Sequence, residues 1–377
     1  MERAYQICTK TVMDTEGDPD IKFDKDGVCN YYYEFLKNLK IRVPPKDEAN
    51  KKLKSIIEKI KKSGQGKQYD IVIGVSGGVD STYTAWLVKQ YGLRPLAVHL
   101  DNGWDSELAV KNIENILNKL GIDLFTEVLD WEMFKDLQLS FLKASTPDGE
   151  IPSDHAIWAT LYNVANKFGI KYIISGMNFR NEGFLPPSWV RGALDYKYIK
   201  SVHKIFGHTS LENYPHLSKT KFIYYNLFKG IKVLSFINYI DFNKNDAMKK
   251  IQEELDWKYY GGKHYESNYT KFYQGYILPK KFKIDKRKAH YTCLMLSTGE
   301  ITRSEALEQL KQPALNPTQI EQDKEYIIKK LGITNDQFNE IMNAPIKSIF
   351  DYPNTFKLEL KFRAALLYLR KLKILPN

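Results

Sequence analysis

The sequence predicts an α/β protein built around a doubly wound parallel sheet. Apolar runs alternate with helical segments between residues 69 and 180, and this alternation is typical of parallel strands with helices on both faces. The run at residues 71–75 is β-branched and apolar, as in a buried parallel strand. A Ser-Gly-Gly turn follows it, and residues 80–82 lead from the turn into a helical segment at residues 83–88. A strand, a tight turn and a helix start therefore follow one another directly.

The turn after this strand predicts an anion pocket. Its glycines let the backbone bend and approach a phosphate closely, and the first amides of the helix are free donors at the positive end of the helix dipole. The common nucleotide-triphosphate loop ends in Gly-Lys-Ser/Thr, whereas this turn is tighter and has no lysine. A glycine-rich turn without a ligand is the alternative interpretation.

The remaining elements of the predicted sheet follow in order. Further strands are expected at residues 95–101, 124–129 and 172–176, and further helices at 106–120 and 153–168, the latter capped by Ser153 or Asp154. Ligands of such sheets lie beyond the carboxyl ends of the strands, where the strand order reverses. The segments expected to converge there are residues 76–81, 99–103 and 176–181.

The chain outside this sheet divides into an N-terminal extension, an aromatic insertion and a C-terminal helical region. We predict boundaries at residues 1–45 for the extension, 46–180 for the α/β domain, 181–304 for the insertion and 305–377 for the helices. The insertion is expected to form part of a substrate pocket and ends in a strongly basic stretch.

The composition and net charge of the chain narrow the classes of partner that it is expected to bind. The 377 residues carry a formal net charge of +11, which suggests an anionic partner such as nucleic acid, a membrane surface or a phosphorylated small molecule. The basic residues are spread along the chain, which favours a charged small substrate over nucleic acid. The apolar stretch at residues 227–240 is too short to span a bilayer, so no membrane insertion is expected. Three cysteines and an N-terminus without an apolar signal core favour the cytoplasm.

Cys8 and Cys29 each look like half of a Cys-x-x-Cys knuckle. A structural zinc site takes four ligands, and two cysteines alone cannot supply them. Zinc is therefore not expected, and two small buried thiols are favoured over a site completed by remote ligands.

The hexapeptide Ser-Gly-Gly-Val-Asp-Ser at residues 76–81 is the signature of the PP-loop ATP pyrophosphatases, which have the adenine nucleotide alpha-hydrolase-like fold. The chain further resembles the N-acetyl sugar amidotransferases of bacterial surface-polysaccharide, or LPS O-antigen, biosynthesis. The matching pieces run in order over nearly the whole chain, at residues 12–15, 18–21, 27–30, 76–81, 153–155, 176–178, 262–264, 284–287 and 299–303. The chain departs from the family at Thr11 and Tyr32, where relatives carry the second cysteine of each knuckle.

The resemblance implies an ATP-dependent amidotransferase reaction. The acetamido oxygen of a nucleotide-linked sugar attacks the α-phosphate of ATP, and pyrophosphate leaves. Ammonia from a separate class I glutaminase then displaces AMP and leaves an acetamidino group. ATP and Mg²⁺ are the expected cofactors.

The resemblance also implies roles for residues 76–81, which we name the phosphate loop. The expected pyrophosphate ligands are the amides of Gly77, Gly78 and Val79 and the hydroxyls of Ser76 and Ser81. Asp80 is expected to help hold Mg²⁺, and a helix-start carboxylate favoured by the dipole is the alternative.

Other roles fall on residues outside the loop. Asp101 and Asn102 are expected near adenine or ribose, and Gly176 and Asn178 near the α-phosphate. Cations that offset phosphate charge are expected to be Lys286, Arg287 and Arg303, with solvated surface charge as the alternative. Asp154 and His155 lie at the start of a helix near the cleft. The histidine could move a proton when ammonia attacks. Capping of the helix is the alternative role for the aspartate.

Two other functions remain open on the sequence. A tRNA-modifying thiolase of the same superfamily would need a reactive cysteine near the cleft, and Cys293 is the only cysteine after the loop. A non-catalytic RNA-binding module would show RNA affinity that falls steeply with salt.

Overall fold

A computed structural model describes residues 4–190 and 192–356 of the chain. Five parallel strands form one sheet in the order β3-β2-β1-β4-β5. The strands are β1 Ile71–Gly74, β2 Pro95–Asp101, β3 Asp123–Val128, β4 Tyr172–Ile174 and β5 Lys232–Leu234. In the register, Val72 of β1 lies opposite Leu96 of β2 on one side and opposite Ile173 of β4 on the other. The predicted doubly wound sheet is confirmed, and its strand order reverses between β1 and β4.

Helices cover both faces of the sheet and extend beyond it. Those up to the fourth strand are α1 Asn30–Arg42, α2 Lys46–Ser63, α3 Val79–Gln90, α4 Glu107–Leu120, α5 Trp131–Ala144 and α6 Ile151–Lys167. Those after it are α7 Phe179–Glu182, α8 Tyr196–Phe206, α9 Lys219–Ile223, α10 Lys244–Leu255, α11 Asn268–Phe272, α12 Lys286–Ser297, α13 Arg303–Lys311, α14 Pro317–Leu331 and α15 Asn335–Asn343. π-Helical turns at Tyr224–Phe228 and Tyr273–Phe282 continue α9 and α11, and 3₁₀ turns lie at Phe236–Tyr239 and Ile349–Asp351.

Alternation along the strands separates two apolar layers. Ile71 and Ile73 of β1 point into a core with α2, α3 and α4, whereas Val72 points into a core with α6. Burial on both faces explains why the strand reads as a continuous apolar run. Within the described residues, no helix is long and apolar enough to cross a bilayer.

Two helix starts show how local chemistry sets the boundaries. The predicted α4 is confirmed: the Ser106 hydroxyl accepts the Ala109 amide at 3.2 Å, and Gly121 ends the helix with φ +57°. The predicted cap of α6 is wrong, because the helix starts at Ile151 and the side chains of Ser153 and Asp154 lie within its first turn. The Asp154 carboxylate is therefore free of a capping role.

The region predicted as an insertion contributes β5 to the sheet, and α5 was not predicted at all. β5 has only three residues and begins with an exposed lysine, so its alternation is too short to read. The part of the predicted C-terminal helical region after residue 356 lies outside the described residues.

The N-terminal extension packs against α12 and α13. Lys288 of α12 forms an ion pair with Asp14 at 2.6 Å. Arg303, the first residue of α13, donates to the carbonyls of Cys8 at 2.8 Å and Thr11 at 2.9 Å. Arg303 was predicted to offset phosphate charge. The structure instead engages its guanidinium in holding the extension, because two backbone carbonyls converge on it.

Cys8 and Cys29 lie side by side in this extension and are fully buried. The Cys29 amide donates to the Cys8 sulfur at 3.2 Å, and the Thr11 hydroxyl lies 3.6 Å from the Cys29 sulfur. The hydrogen bond from the Cys29 thiol is the main cause that lowers the pKa of Cys8 to about 5. Among the residues described, no cluster of three or more metal-ligating side chains occurs.

Replacing Arg303 tests this anchoring role. Arg303→Ala leaves two carbonyls without their charged donor, and we expect the free energy of unfolding to fall by about 2 kcal/mol. Urea denaturation measures the loss. Lys311→Ala on the same helix removes only an exposed pair with Glu308, and we expect a change within about 0.5 kcal/mol. Equal effects of the two variants would contradict the anchoring role.

Candidate active site

The phosphate loop is held by a close backbone contact. Gly77 has φ +75°, and a Cβ at this position would lie 2.6 Å from the Ala109 carbonyl oxygen, so only glycine fits. The Trp257 indole donates to the Gly77 carbonyl at 2.8 Å. Gly176, after β4, packs so closely that a Cβ would lie 3.0 Å from the Ser81 nitrogen. The loop is fixed from three sides.

The donors of the loop are only weakly engaged with one another. The Gly78 amide and the Ser76 hydroxyl are 3.3 Å apart, and the Ser76 amide lies 3.3 Å from the Ser81 hydroxyl. The first amides of α3 also lack acceptors within the helix. An anion could replace these long bonds with shorter, charge-assisted ones.

A small pocket of about 180 Å³ opens beside the loop. Its walls comprise loop residues and a charged group from later in the chain. The charged and phenolic residues are Asp80, Glu182, Lys244, Tyr259, Tyr260, Lys263, His264 and Glu266. Lys263 and Glu182 form an ion pair at 2.9 Å. Burial acts to raise the pKa of Glu182, but the charges of Lys263 and His264 outweigh it and set that pKa at about 2.

Asp80 lies in an unfavourable electrostatic environment within this group. One of its carboxylate oxygens is buried and has no hydrogen-bond partner among the described residues. Burial, and then the negative charge of Glu182, raise the pKa of Asp80 to about 7. A hard cation with oxygen ligands would relieve both effects. Asp80 and Glu182 therefore fit Mg²⁺, with phosphate oxygens or water as its other ligands.

A second, larger cavity of about 810 Å³ adjoins the first. Seven residues lie in the walls of both cavities: Ser76, Gly176, Glu182, Lys244, Lys263, His264 and Glu266. The carboxyl ends of β1, β2 and β4 all reach this chamber, so the predicted convergence of three segments is confirmed. Apolar residues line part of it: Ile157, Trp158, Leu161, Phe184, Leu185 and Val190.

An acid–base group lies in the larger chamber. Lys286 forms an ion pair with Glu150 at 2.6 Å, and the Gln274 amide donates to both Glu150 oxygens at 3.0 Å. Burial acts to lower the pKa of Lys286, but the Glu150 charge outweighs it and raises that pKa. Asp154 lies one helical turn after Glu150. Burial, followed by the charge of Glu150, raises the pKa of Asp154 to about 7.

The structure brings most of the predicted site residues to these two cavities. Those in the walls are Ser76, Gly78, Val79, Asp80, Ser81, Asn102, Asp154, Gly176, Lys286 and Arg287. Gly77 shapes the loop rather than a wall. Arg287 reaches the chamber while its guanidinium forms an ion pair with Asp285 at 2.6 Å.

Three predicted residues besides Gly77 and Arg303 are not placed in the walls. The Asp101 carboxylate accepts the Gly103 amide at 2.9 Å, and the fully buried Asn178 caps α7 by accepting the Arg180 amide at 3.0 Å. Both side chains shape the turns after their strands.

His155 is the third, and its environment argues against proton transfer. Its Nδ1 lies 2.8 Å from the Ala193 carbonyl, and its Nε2 accepts the Leu217 amide at 3.0 Å. Burial lowers the pKa of His155 to about 4. Both ring nitrogens are occupied and the ring stays neutral, so its role is structural.

Several charged residues of the cleft were not predicted as site residues: Glu150, Glu182, Lys244, Lys263, His264 and Glu266. Residues 262–264 belong to a motif that carried the family resemblance, and that signal could have identified Lys263 and His264. Glu150 and Glu182 have no local signal, because their partners lie far away in sequence.

The comparisons with known proteins each cover part of the chain. Residues 266–364 match the family model described as LPS biosynthesis protein WbpG-like, C-terminal domain. The tRNA-specific 2-thiouridylase of Clostridioides difficile is 28% identical over 124 residues, which cover 28% of this chain and 34% of that protein. These similarities support the resemblance of the chain to the PP-loop ATP pyrophosphatases, and residues 266–364 are similar to the WbpG-like proteins of LPS biosynthesis.

Other relatives of this chain match similarly short stretches. The glutamine-hydrolysing GMP synthase of Pyrobaculum aerophilum is 38% identical over 81 residues, covering 21% of this chain and 15% of that protein. The chain thus spans about a third or less of the length of these curated relatives. The NH3-dependent NAD synthetase of Campylobacter jejuni overlaps 79% of this chain and 98% of its own, at 14% identity and a TM-score of 0.30, which is too low to support an argument.

The raised pKa of Asp80 makes a prediction about stability. Since the folded pKa of about 7 lies above the unfolded value of about 3.9, the stabilisation from the bound proton is complete below pH ~4 and is lost as the pH rises through 7. Asp80→Asn removes this loss. Without nucleotide, we expect the variant to gain at least about 1 kcal/mol over the wild type between pH 4.5 and pH 8, because one unit of pKa shift corresponds to about 1.36 kcal/mol.

Urea denaturation at both pH values measures the gain. The exposed Asp241 provides the matched control, since Asp241→Asn should change stability equally at the two pH values. A pH-independent effect of Asp80→Asn would contradict the buried, repelled carboxylate.

Proposed function

We propose that this protein uses ATP to convert an acetamido group of a nucleotide-linked sugar into an acetamidino group, within surface-glycan or LPS biosynthesis. The amide oxygen attacks the α-phosphate of ATP, forming an adenylated imidate and releasing pyrophosphate. Ammonia then adds to the imidate carbon, and the C–O bond to AMP breaks. One observation carries the proposal: the phosphate pocket and a chamber of about 810 Å³ share a wall, so a nucleotide and a large acceptor would meet there.

The first step requires charge neutralisation and positioning rather than covalent chemistry by the protein. Loop amides and the Ser76 and Ser81 hydroxyls would hold the departing pyrophosphate, and Lys263 would face it from the shared wall. Asp80 and Glu182 would hold Mg²⁺, which supplies further positive charge when bound. Lys286 and Arg287 lie on the acceptor side, where they would offset charge on the sugar nucleotide.

The second step requires a base, because ammonia becomes positively charged when it adds to carbon. Asp154 lines the acceptor chamber, and burial followed by the charge of Glu150 raises its pKa to about 7. A carboxylate with this pKa accepts a proton well at neutral pH. We assign to Asp154 the proton-transfer role that the sequence suggested for His155.

The cysteines favour an external source of ammonia over sulfur transfer. All three are fully buried, and none is in the walls of either cavity. Burial raises the pKa of Cys293 to about 12, which disfavours the thiolate that a thiolase would need. A class I glutaminase is the proposed partner that supplies ammonia.

The reaction is tested by its products. We expect ATP, Mg²⁺, ammonium and a nucleotide-linked acetamido sugar to give AMP, pyrophosphate and a sugar lighter by the mass difference between O and NH. Lys263→Met should lower the rate of AMP release roughly 100-fold, as for other preorganised charge contacts. The exposed Lys258 gives the control, Lys258→Met, with an unchanged rate. Release of ADP and orthophosphate would sink the proposal.

A pH profile tests the role of Asp154. At a constant concentration of unprotonated ammonia, the wild-type rate of acetamidino formation should rise as the pH increases through about 7, since the deprotonated carboxylate is the active form. Asp154→Asn should flatten this rise and lower the rate roughly 100-fold. Pyrophosphate release in a single turnover without ammonium reports the first step and should stay near the wild-type rate. An unchanged pH profile in the variant would exclude Asp154 as the base.

A further inference from the structure

An exposed apolar surface lies away from both cavities. We name residues 219–228 the patch helix; it comprises α9 and the π-helical turn that continues it. Leu227 and Phe228 are 76% and 77% exposed, and Ile223 and Tyr224 are also exposed. None of these residues is in the wall of either cavity.

The exposed face belongs to a helix that is firmly packed on its other side. The Tyr225 ring stacks on Tyr162 of α6 with ring centroids 6.0 Å apart, and the Phe222 ring meets Tyr162 edge-to-face at 5.6 Å. The Tyr225 hydroxyl donates to Asn163 at 3.1 Å. The four outward apolar side chains are therefore held in place by the core. A contiguous exposed apolar patch of this kind marks an interaction surface.

The surroundings of the patch are basic. Residues 213–240 contain four lysines, at positions 219, 221, 229 and 232, and no aspartate or glutamate. Lys229 lies over the Tyr224 ring at 5.5 Å, and Lys221 over the Tyr225 ring at 5.7 Å. Lys171 adds a fifth ammonium group, which donates to the Lys229 carbonyl at 2.6 Å. Apolar side chains thus project from a positively charged rim.

We propose that the patch helix binds the surface of an anionic lipid bilayer. Aromatic and aliphatic residues on one face with lysines beside them are the composition of helices that lie in the membrane interface. Lysines extend their ammonium groups toward lipid phosphates while their stems cover apolar surface. The charge of +11 on the whole chain adds long-range attraction to the same partner. The binding is peripheral and reversible, and it leaves the cleft open.

Vesicle sedimentation with the full chain tests the proposal. The protein should bind vesicles of phosphatidylglycerol and phosphatidylcholine, and it should bind pure phosphatidylcholine more weakly. Added salt should reduce the binding to the anionic vesicles. The double variant Leu227→Ser/Phe228→Ser should bind the anionic vesicles at least roughly tenfold more weakly, because it loses the apolar side chains that enter the interface.

The matched control is the double variant Ile41→Ser/Val128→Ser, which changes two residues of similar exposure, 65% and 67%, elsewhere on the surface. It should bind as the wild type does, and thermal unfolding of both variants should match the wild type. No binding to anionic vesicles, or equal losses in the two double variants, would overturn the proposal. So would unchanged vesicle binding by the patch variant together with a loss of self-association or of glutaminase binding, since the patch would then be a protein interface.

Discussion

The backbone contact between Gly77 and Ala109 is the constraint on which the cleft depends. Parallel strands bring several carboxyl ends to one edge of the sheet, but a phosphate pocket forms there only if the chain turns sharply after β1. The positive φ of Gly77 makes that turn, and the Ala109 carbonyl at the start of α4 closes the space behind it. Trp257 fixes the same peptide from a third direction. The loop amides are thereby oriented before any ligand arrives, which reduces the cost of binding.

The cleft then concentrates charges that the rest of the fold must tolerate. Glu150 with Lys286 and Glu182 with Lys263 are paired, whereas Asp80 and Asp154 face other carboxylates and have raised pKa values. Buried ion pairs contribute little net stability, and unpaired buried carboxylates reduce it. This arrangement of charges is suited to binding ligands of opposite charge. It reduces the stability of the fold at the site, and the two apolar layers around the sheet compensate for that loss.

Prediction from sequence succeeded where the signal is local. The strand, turn and first helix around residues 71–90 follow from adjacent residues, as does the cap and end of α4. The charged walls of the cleft depend on contacts across the chain: Lys286 meets Glu150 over 136 residues. No local sequence pattern predicts a partner that is so distant along the chain. The same limit explains why the roles predicted for His155 and Arg303 differ from the contacts that they make. Both residue types suit catalysis, but His155 contacts a backbone carbonyl and a backbone amide, and Arg303 contacts two backbone carbonyls.

The anchoring of the N-terminal extension has a consequence for how such proteins diverge. Lys288 and Arg303 hold residues 8–14, and Lys288 lies two positions from Lys286, which lines the larger cavity. The extension and the α12–α13 segment therefore form one mechanical unit, although 274 positions separate Asp14 from Lys288 in sequence. Recombination between relatives that exchanged only one of these two segments would leave the helix bearing Lys286 without its packing partner. We expect the extension and the α12–α13 segment to co-evolve and to be inherited together in any functional chimaera.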